Sequence, residues 1–79
     1  MSVMLTPVAQ IDVEDAEGLN ISNGTWAELT SDISGVKSWN GHHDPIRYTP
    51  EELRAIAAKH PDWTAQLEWL ASEGGAELS

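Results

Sequence analysis

Two stretches of this sequence hold chemistry-bearing side chains at close spacing. The first is Gly41-His42-His43-Asp44, two imidazoles and a carboxylate in a row. These are zinc-ligand types, but a catalytic zinc takes three protein ligands in fixed geometry. Neighbours on one loop rarely point the same way, and the only other histidine is His60. The segment reads as a polar loop before Pro45, in which His42 and His43 remain available for contacts near the basic middle of the chain. No metal and no cofactor is expected. The serines fall in strand, cap and loop contexts, without a nucleophile elbow. The glycines at 18, 24, 35, 41, 74 and 75 lack phosphate-loop spacing. Carboxylate pairs are unavoidable among thirteen acids, and 79 residues leave little room for a pocket of ordinary volume. The chain is not expected to be an enzyme.

The second stretch is IDVEDAEGLNIS, residues 11–22, with four acids and no base. The imbalance is wider than this segment. Residues 1–36 hold six acids and no base, residues 37–59 hold four bases against three acids, and residues 60–79 hold four acids and no base. The net charge is −9. The charge argues against direct binding to nucleic acid or anionic lipid, since counterion release works only for a cationic protein surface. A basic protein partner is favoured.

Carboxylates in this density can serve as a solvating coat. They can also stand in for phosphates. Asp12 and Glu14, two apart on an extended segment, would project about 6.6 Å apart. Glu28 and Asp32, one helical turn apart, would hold β-carbons about 5–6 Å apart. Successive phosphates of a DNA strand rise about 3.4 Å. Rows of this kind fit a lysine- and arginine-lined groove. The expected partner-binding surface is Asp12, Glu14, Asp15, Glu17, Glu28 and Asp32. Glu68, Glu73 and Glu77 extend it if the last helix and strand lie beside the first hairpin.

The elements that position these residues follow from periodicity. Val3 to Val13 reads as extended, with Pro7 bending it or placing it on an edge. Residues 14–18 read as a turn and Leu19-Asn20-Ile21-Ser22 as a strand, giving a hairpin over residues 8–22. Ser22 or Asn23 caps a helix starting near Gly24, with Trp26, Leu29, Thr30 and Ile33 on one face and Gly35 as its stop. Residues 35–48 read as a loop pinned by Trp39 and Ile46. Thr49-Pro50-Glu51-Glu52 is a capping box that opens a helix to about His60, with Leu53, Ile56 and Ala57 inward. Asp62 is expected to cap a last helix with Trp63, Leu67, Leu70 and Ala71 on its apolar face, stopped by Gly74-Gly75. The tail GGAELS echoes EGLNIS, so Ala76 and Leu78 are expected as a strand beside Leu19 and Ile21. Together these give one acidic α+β domain over residues 1–79, a small, mostly antiparallel three-stranded sheet with about three α-helices on one face.

With 41% hydrophobic residues and four tryptophans the composition is that of a folded domain. There is no cysteine and no apolar run of membrane-spanning length. The start MSVMLTPV lacks a signal peptide's basic region and long apolar core. The expectation is a cytoplasmic protein that does not enter membranes, with a monomer favoured.

A small, cysteine-free, strongly acidic α+β domain without a catalytic constellation resembles the anti-defence proteins of phages and mobile elements, among them the anti-CRISPR proteins that mimic DNA. The resemblance is one of profile over the whole chain, since anti-CRISPR proteins share no common motif. The segment LNISNGTWAEL is also similar to a strand-then-helix element of small bacterial and phage proteins, which implies no activity. The class implies stoichiometric inhibition in the cytoplasm of a bacterial host, by occupying the DNA-recognition groove of a CRISPR surveillance complex. A second expectation is an acidic antitoxin or regulatory adaptor that binds a basic protein through an exposed tryptophan, Trp39 or Trp69. A third is an accessory domain whose charge serves only solubility.

Overall fold

The computed structural model describes residues 2–31, 33–37 and 46–78. In chain order the elements are β1 (Ser2–Pro7), a 3₁₀ turn (Val8–Gln10), β2 (Leu19–Ser22), α1 (Asn23–Thr30), β3 (Ile46–Tyr48), α2 (Pro50–Lys59), a second 3₁₀ turn (Pro61–Trp63), α3 (Thr64–Ser72) and β4 (Ala76–Leu78). The fold is α+β. Its sheet has four strands in the order β2-β1-β4-β3, and every neighbouring pair is antiparallel.

Alternation along the strands decides which face is covered. Val3, Leu5, Ile21, Tyr48, Ala76 and Leu78 turn to one side and are buried with Trp26, Leu29, Leu53, Ile56, Leu67 and Leu70 from the helices. Met4, Asn20, Ser22 and Arg47 lie on the opposite, exposed face. Trp26 is completely buried, and its ring meets Tyr48 edge-on at 5.3 Å between centroids and 89° between planes. Neither Trp26 Nε1 nor Tyr48 Oη has a hydrogen-bond partner among the described residues. Burial pushes the Tyr48 phenol above its ordinary pKa; the adjacent Trp26 indole pulls the other way without completing a hydrogen bond, and the Glu52 charge adds to the rise.

Four features of the sheet differ from the sequence expectation. The three-stranded sheet is corrected to four, because Ile46-Arg47-Tyr48 forms β3 where a loop was expected. Three residues are too few to display a period of two. The first strand ends at Pro7, where its run was expected to reach Val13. From there i→i+3 turns take over: Ile11 N–H donates to Val8 O at 3.4 Å, Val13 N–H to Gln10 O at 3.0 Å and Ala16 N–H to Val13 O at 3.2 Å. The hairpin over residues 8–22 is therefore replaced by a pairing of β1 with β2, Leu5 opposite Leu19 and Ser2 opposite Ser22. The last strand pairs with β1 and β3 and not with Leu19 and Ile21.

The helix ends are mostly set as the sequence implies. Ser22 caps α1, accepting from Thr25 N–H at 3.3 Å. That helix stops at Thr30, short of Gly35, because Thr30 and Ser31 hydroxyls take Trp26 O and Glu28 O at 2.9 Å each and draw the backbone out of the helix. Asp62 does not cap α3, whose N-cap is Trp63 without a side-chain bond. Pro61 instead forces a 3₁₀ turn, which Thr64 Oγ1 closes by donating to Pro61 O at 2.8 Å. At the other end Gly74 and Gly75 adopt φ of 90° and 102°, and Gly75 N–H donates to Leu70 O at 3.0 Å.

The capping box of α2 is complete. Glu52 N–H donates to Thr49 Oγ1 at 3.2 Å, and Thr49 N–H donates to Glu52 Oε1 at 3.0 Å. Burial works to raise the Glu52 pKa, but donation from Thr49 N–H and Lys37 N–H, the Lys37 charge and the Thr49 hydroxyl outweigh it and hold the carboxyl below its ordinary value. A carboxyl depressed in the folded state stabilises the fold above its unfolded pKa, and the contribution is lost as pH falls through the folded pKa. The stability difference between the native protein and a Glu52→Gln variant should therefore shrink on acidification below the ordinary carboxylate range, about pH 4. Urea unfolding across pH measures it; a difference that does not change with pH would refute the assignment.

Candidate partner-binding surface

The connection from β1 to β2, residues 8–18, is an ordered acidic loop. Val8 N–H donates to Gly75 O at 2.9 Å and Ala9 N–H to Glu73 O at 3.1 Å, so the turn between α3 and β4 anchors its start. Glu17 N–H donates to Gln10 Oε1 at 3.1 Å and closes it across seven residues. Asp12, Glu14, Asp15 and Glu17 are all exposed on this loop. Val13 stands between two of them at 51% exposure, the most exposed large apolar side chain among the described residues. Since Asp12 and Glu14 sit on successive turns, the two-residue strand spacing expected of them does not apply.

The remaining expected acids are placed elsewhere or are already engaged. Tyr48, Ala76 and Pro7 form one row across the sheet, and the loop leaves the sheet at that row while α2 begins beside it. Ten residues carry α2 about 15 Å away. Glu28 lines an open groove of about 350 Å³ with its neighbour Leu29 and with Lys59, His60, Asp62 and Trp63, which end or follow α2. It therefore lies near the end of α2 remote from the loop. Asp32 lies outside the described residues, as do Trp39, His42, His43 and Asp44.

Glu68 pairs with Arg54 Nε at 3.3 Å, and Glu77 with Arg47 Nε at 2.9 Å, directly opposite each other on β4 and β3. Glu52 pairs with Lys37 Nζ at 3.5 Å. Glu73 is half-buried, and its carbonyl brings it beside the acidic loop.

The charges thus sort in space. Three of the four bases neutralise acids of the second half of the chain, and Lys59 has an interaction of its own. Asp12, Glu14, Asp15 and Glu17 have no ion pair among the described residues. Glu77 and Glu68 accordingly contribute far less uncompensated charge than their sequence positions suggested. Ion pairing across 30 residues, as between Arg47 and Glu77, carries no local sequence signal.

Among the described residues, no three His, Cys, Asp or Glu side chains are grouped to hold a metal ion, and no helix is long and apolar enough to cross a membrane. Trp63 and Trp69 are both half-buried against the core. No protein-family model, curated protein or solved structure matches this chain.

Proposed function

We propose that this protein is a stoichiometric inhibitor that presents the acidic loop to a basic, nucleic-acid-binding partner in place of phosphates. The class of partner is that engaged by DNA-mimicking anti-CRISPR proteins, a CRISPR surveillance complex in the cytoplasm of a bacterial host, whose access to target DNA the bound inhibitor blocks. One observation carries this reading: four exposed carboxylates within six residues are held in an ordered loop, while the chain's bases are engaged elsewhere. Unpaired surface charge of one sign repels itself in the free protein. The repulsion is relieved when a cationic groove replaces solvent, and the same field accelerates the encounter.

The test is capture from a bacterial lysate at low salt, followed by elution in a salt gradient and competition with duplex DNA. A DNA-binding complex displaced by the duplex is the expected result. Reversing Asp12, Glu14, Asp15 and Glu17 together to lysine should leave the circular dichroism spectrum intact and slow association by about 100-fold or more. Glu28→Lys, near the end of α2 remote from the loop, should have little effect. Unchanged association in the folded quadruple variant would defeat the proposal. A salt-resistant small partner would turn attention to Trp69.

A further inference from the structure

The outer strands of an open sheet carry backbone groups without ladder partners, and the two outer strands here are treated differently. Alternation of the ladder fixes which groups face outward. Val8 N–H points to β4, where it meets Gly75 O. Counting back along β1, Met4 and Thr6 also direct their backbone groups to β4, and Val3 and Leu5 direct theirs to β2. The hydrogen-bonded pairs of β1 and β2 are thus Val3 with Ile21 and Leu5 with Leu19. The backbone groups of Asn20 and Ser22 then point away from the sheet.

The same count carried through β4 turns the Arg47 carbonyl outward on β3. That edge is closed: Lys37 Nζ donates to Arg47 O at 2.6 Å, and Glu52 holds the ammonium at 3.5 Å. On β2 no such guard is found among the described residues. The strand LNIS has no charge and no proline, the usual devices that blunt an edge. Only the Ser22 carbonyl is taken, as the cap position of α1. Asn20 N–H and Ser22 N–H donate to no described residue, and Asn20 C=O accepts from none.

We infer that β2 is a docking edge, extended by a strand-forming segment of the partner that carries lysine or arginine. The charge of the occupant is argued from what adjoins the edge. Beyond Gly18 the edge runs directly into Glu17 and the other unpaired carboxylates, so a strand laid beside Asn20 and continuing past Gly18 brings its side chains against them. Asn20 faces Met4, 38% exposed on the open face, and this supplies an apolar contact beside the new ladder. A second copy of this chain is a poor occupant, because it brings a charge of −9 against −9. Backbone pairing supplies affinity in such additions and the side chains supply the choice of partner. The inference rests on the proposed function for the basic character of the partner.

The test is selection of short random peptides against the full chain by display. Recovered peptides should be rich in Lys and Arg, bind in a salt-dependent manner and lose affinity by about tenfold in an Asn20→Pro variant, which removes an outward N–H without touching the β1 ladder. In the unaltered protein, bound peptide should slow amide exchange at Asn20 and Ser22, and this measurement decides the matter even if the proline variant fails to fold. Basic peptides that leave both amides and the Asn20→Pro affinity unchanged overturn the docking edge while leaving the acidic-loop reading standing. Failure to recover any basic, salt-sensitive peptide overturns both. Concentration-dependent self-association that Asn20→Pro abolishes would make the occupant a second copy and overturn the assignment to a basic partner.

Discussion

Gly75→Ala is expected to destabilise the protein by about 3 kcal/mol or more, a large share of the roughly 5–10 kcal/mol that holds a domain of this size. Two costs add. At φ 102° an L side chain is strained. A β-carbon there would also collide with the Tyr48 carbonyl oxygen and press on Pro50 Cδ at 3.4 Å, and the first of these is backbone that cannot swing away. Gly74→Ala separates the terms. Its φ of 90° is equally left-handed, but the nearest outside atom is Val8 Cβ at 3.9 Å. It should cost only the backbone strain, about 1–2 kcal/mol. Thermal unfolding reads both, at roughly 4–8 °C per kcal/mol. Equal shifts in the two variants would mean that the approach of β4 to β3 does not limit position 75.

Trp26→Ala carries the other large effect. The indole is fully buried at the junction of α1 with the sheet and meets Tyr48 edge-on. Its loss leaves a cavity under β3 and exposes the unpartnered Tyr48 hydroxyl to an emptier surrounding. A cost of about 3–5 kcal/mol is expected, a large share of the total stability. Trp26→Phe, which keeps a ring against Tyr48 and removes an indole N–H that has no partner, should recover much of it. Urea denaturation followed by far-ultraviolet circular dichroism distinguishes the two. If alanine and phenylalanine proved equally costly, ring packing would not be what position 26 supplies.

Local chemistry makes part of this fold legible in the sequence. Thr49, Pro50 and Glu52 announce a helix start through interactions within four residues, and Ser22 and Gly74-Gly75 are similarly self-contained. β3 was hidden because Ile46-Arg47-Tyr48 is strand only by virtue of Ala76 to Leu78 beside it. The first strand was overdrawn because Val8, Ile11 and Val13 continue an apolar alternation after Pro7 has diverted the backbone. The resemblance of GGAELS to EGLNIS pointed to a real strand but to the wrong neighbour, since pairing is chosen by the whole sheet. The acidic loop was visible as composition. Which acids remain uncompensated was not, because that depends on where Arg47 and Arg54 find their partners in space.

The strand order also governs how the chain reaches this state. Leu5 lies opposite Leu78, so the first and last strands are central neighbours. The α2–α3 pair can assemble from nearby residues, whereas the sheet waits for the most distant contact in the chain, a topology that slows folding. Until β4 arrives, β1 and β3 lack their common partner and Val3, Leu5 and Tyr48 lack full cover. Species of that kind aggregate through open strands. A charge of −9 on every copy holds such intermediates apart, so the acids proposed to meet a partner in the finished fold first act as a brake on collisions between unfinished chains.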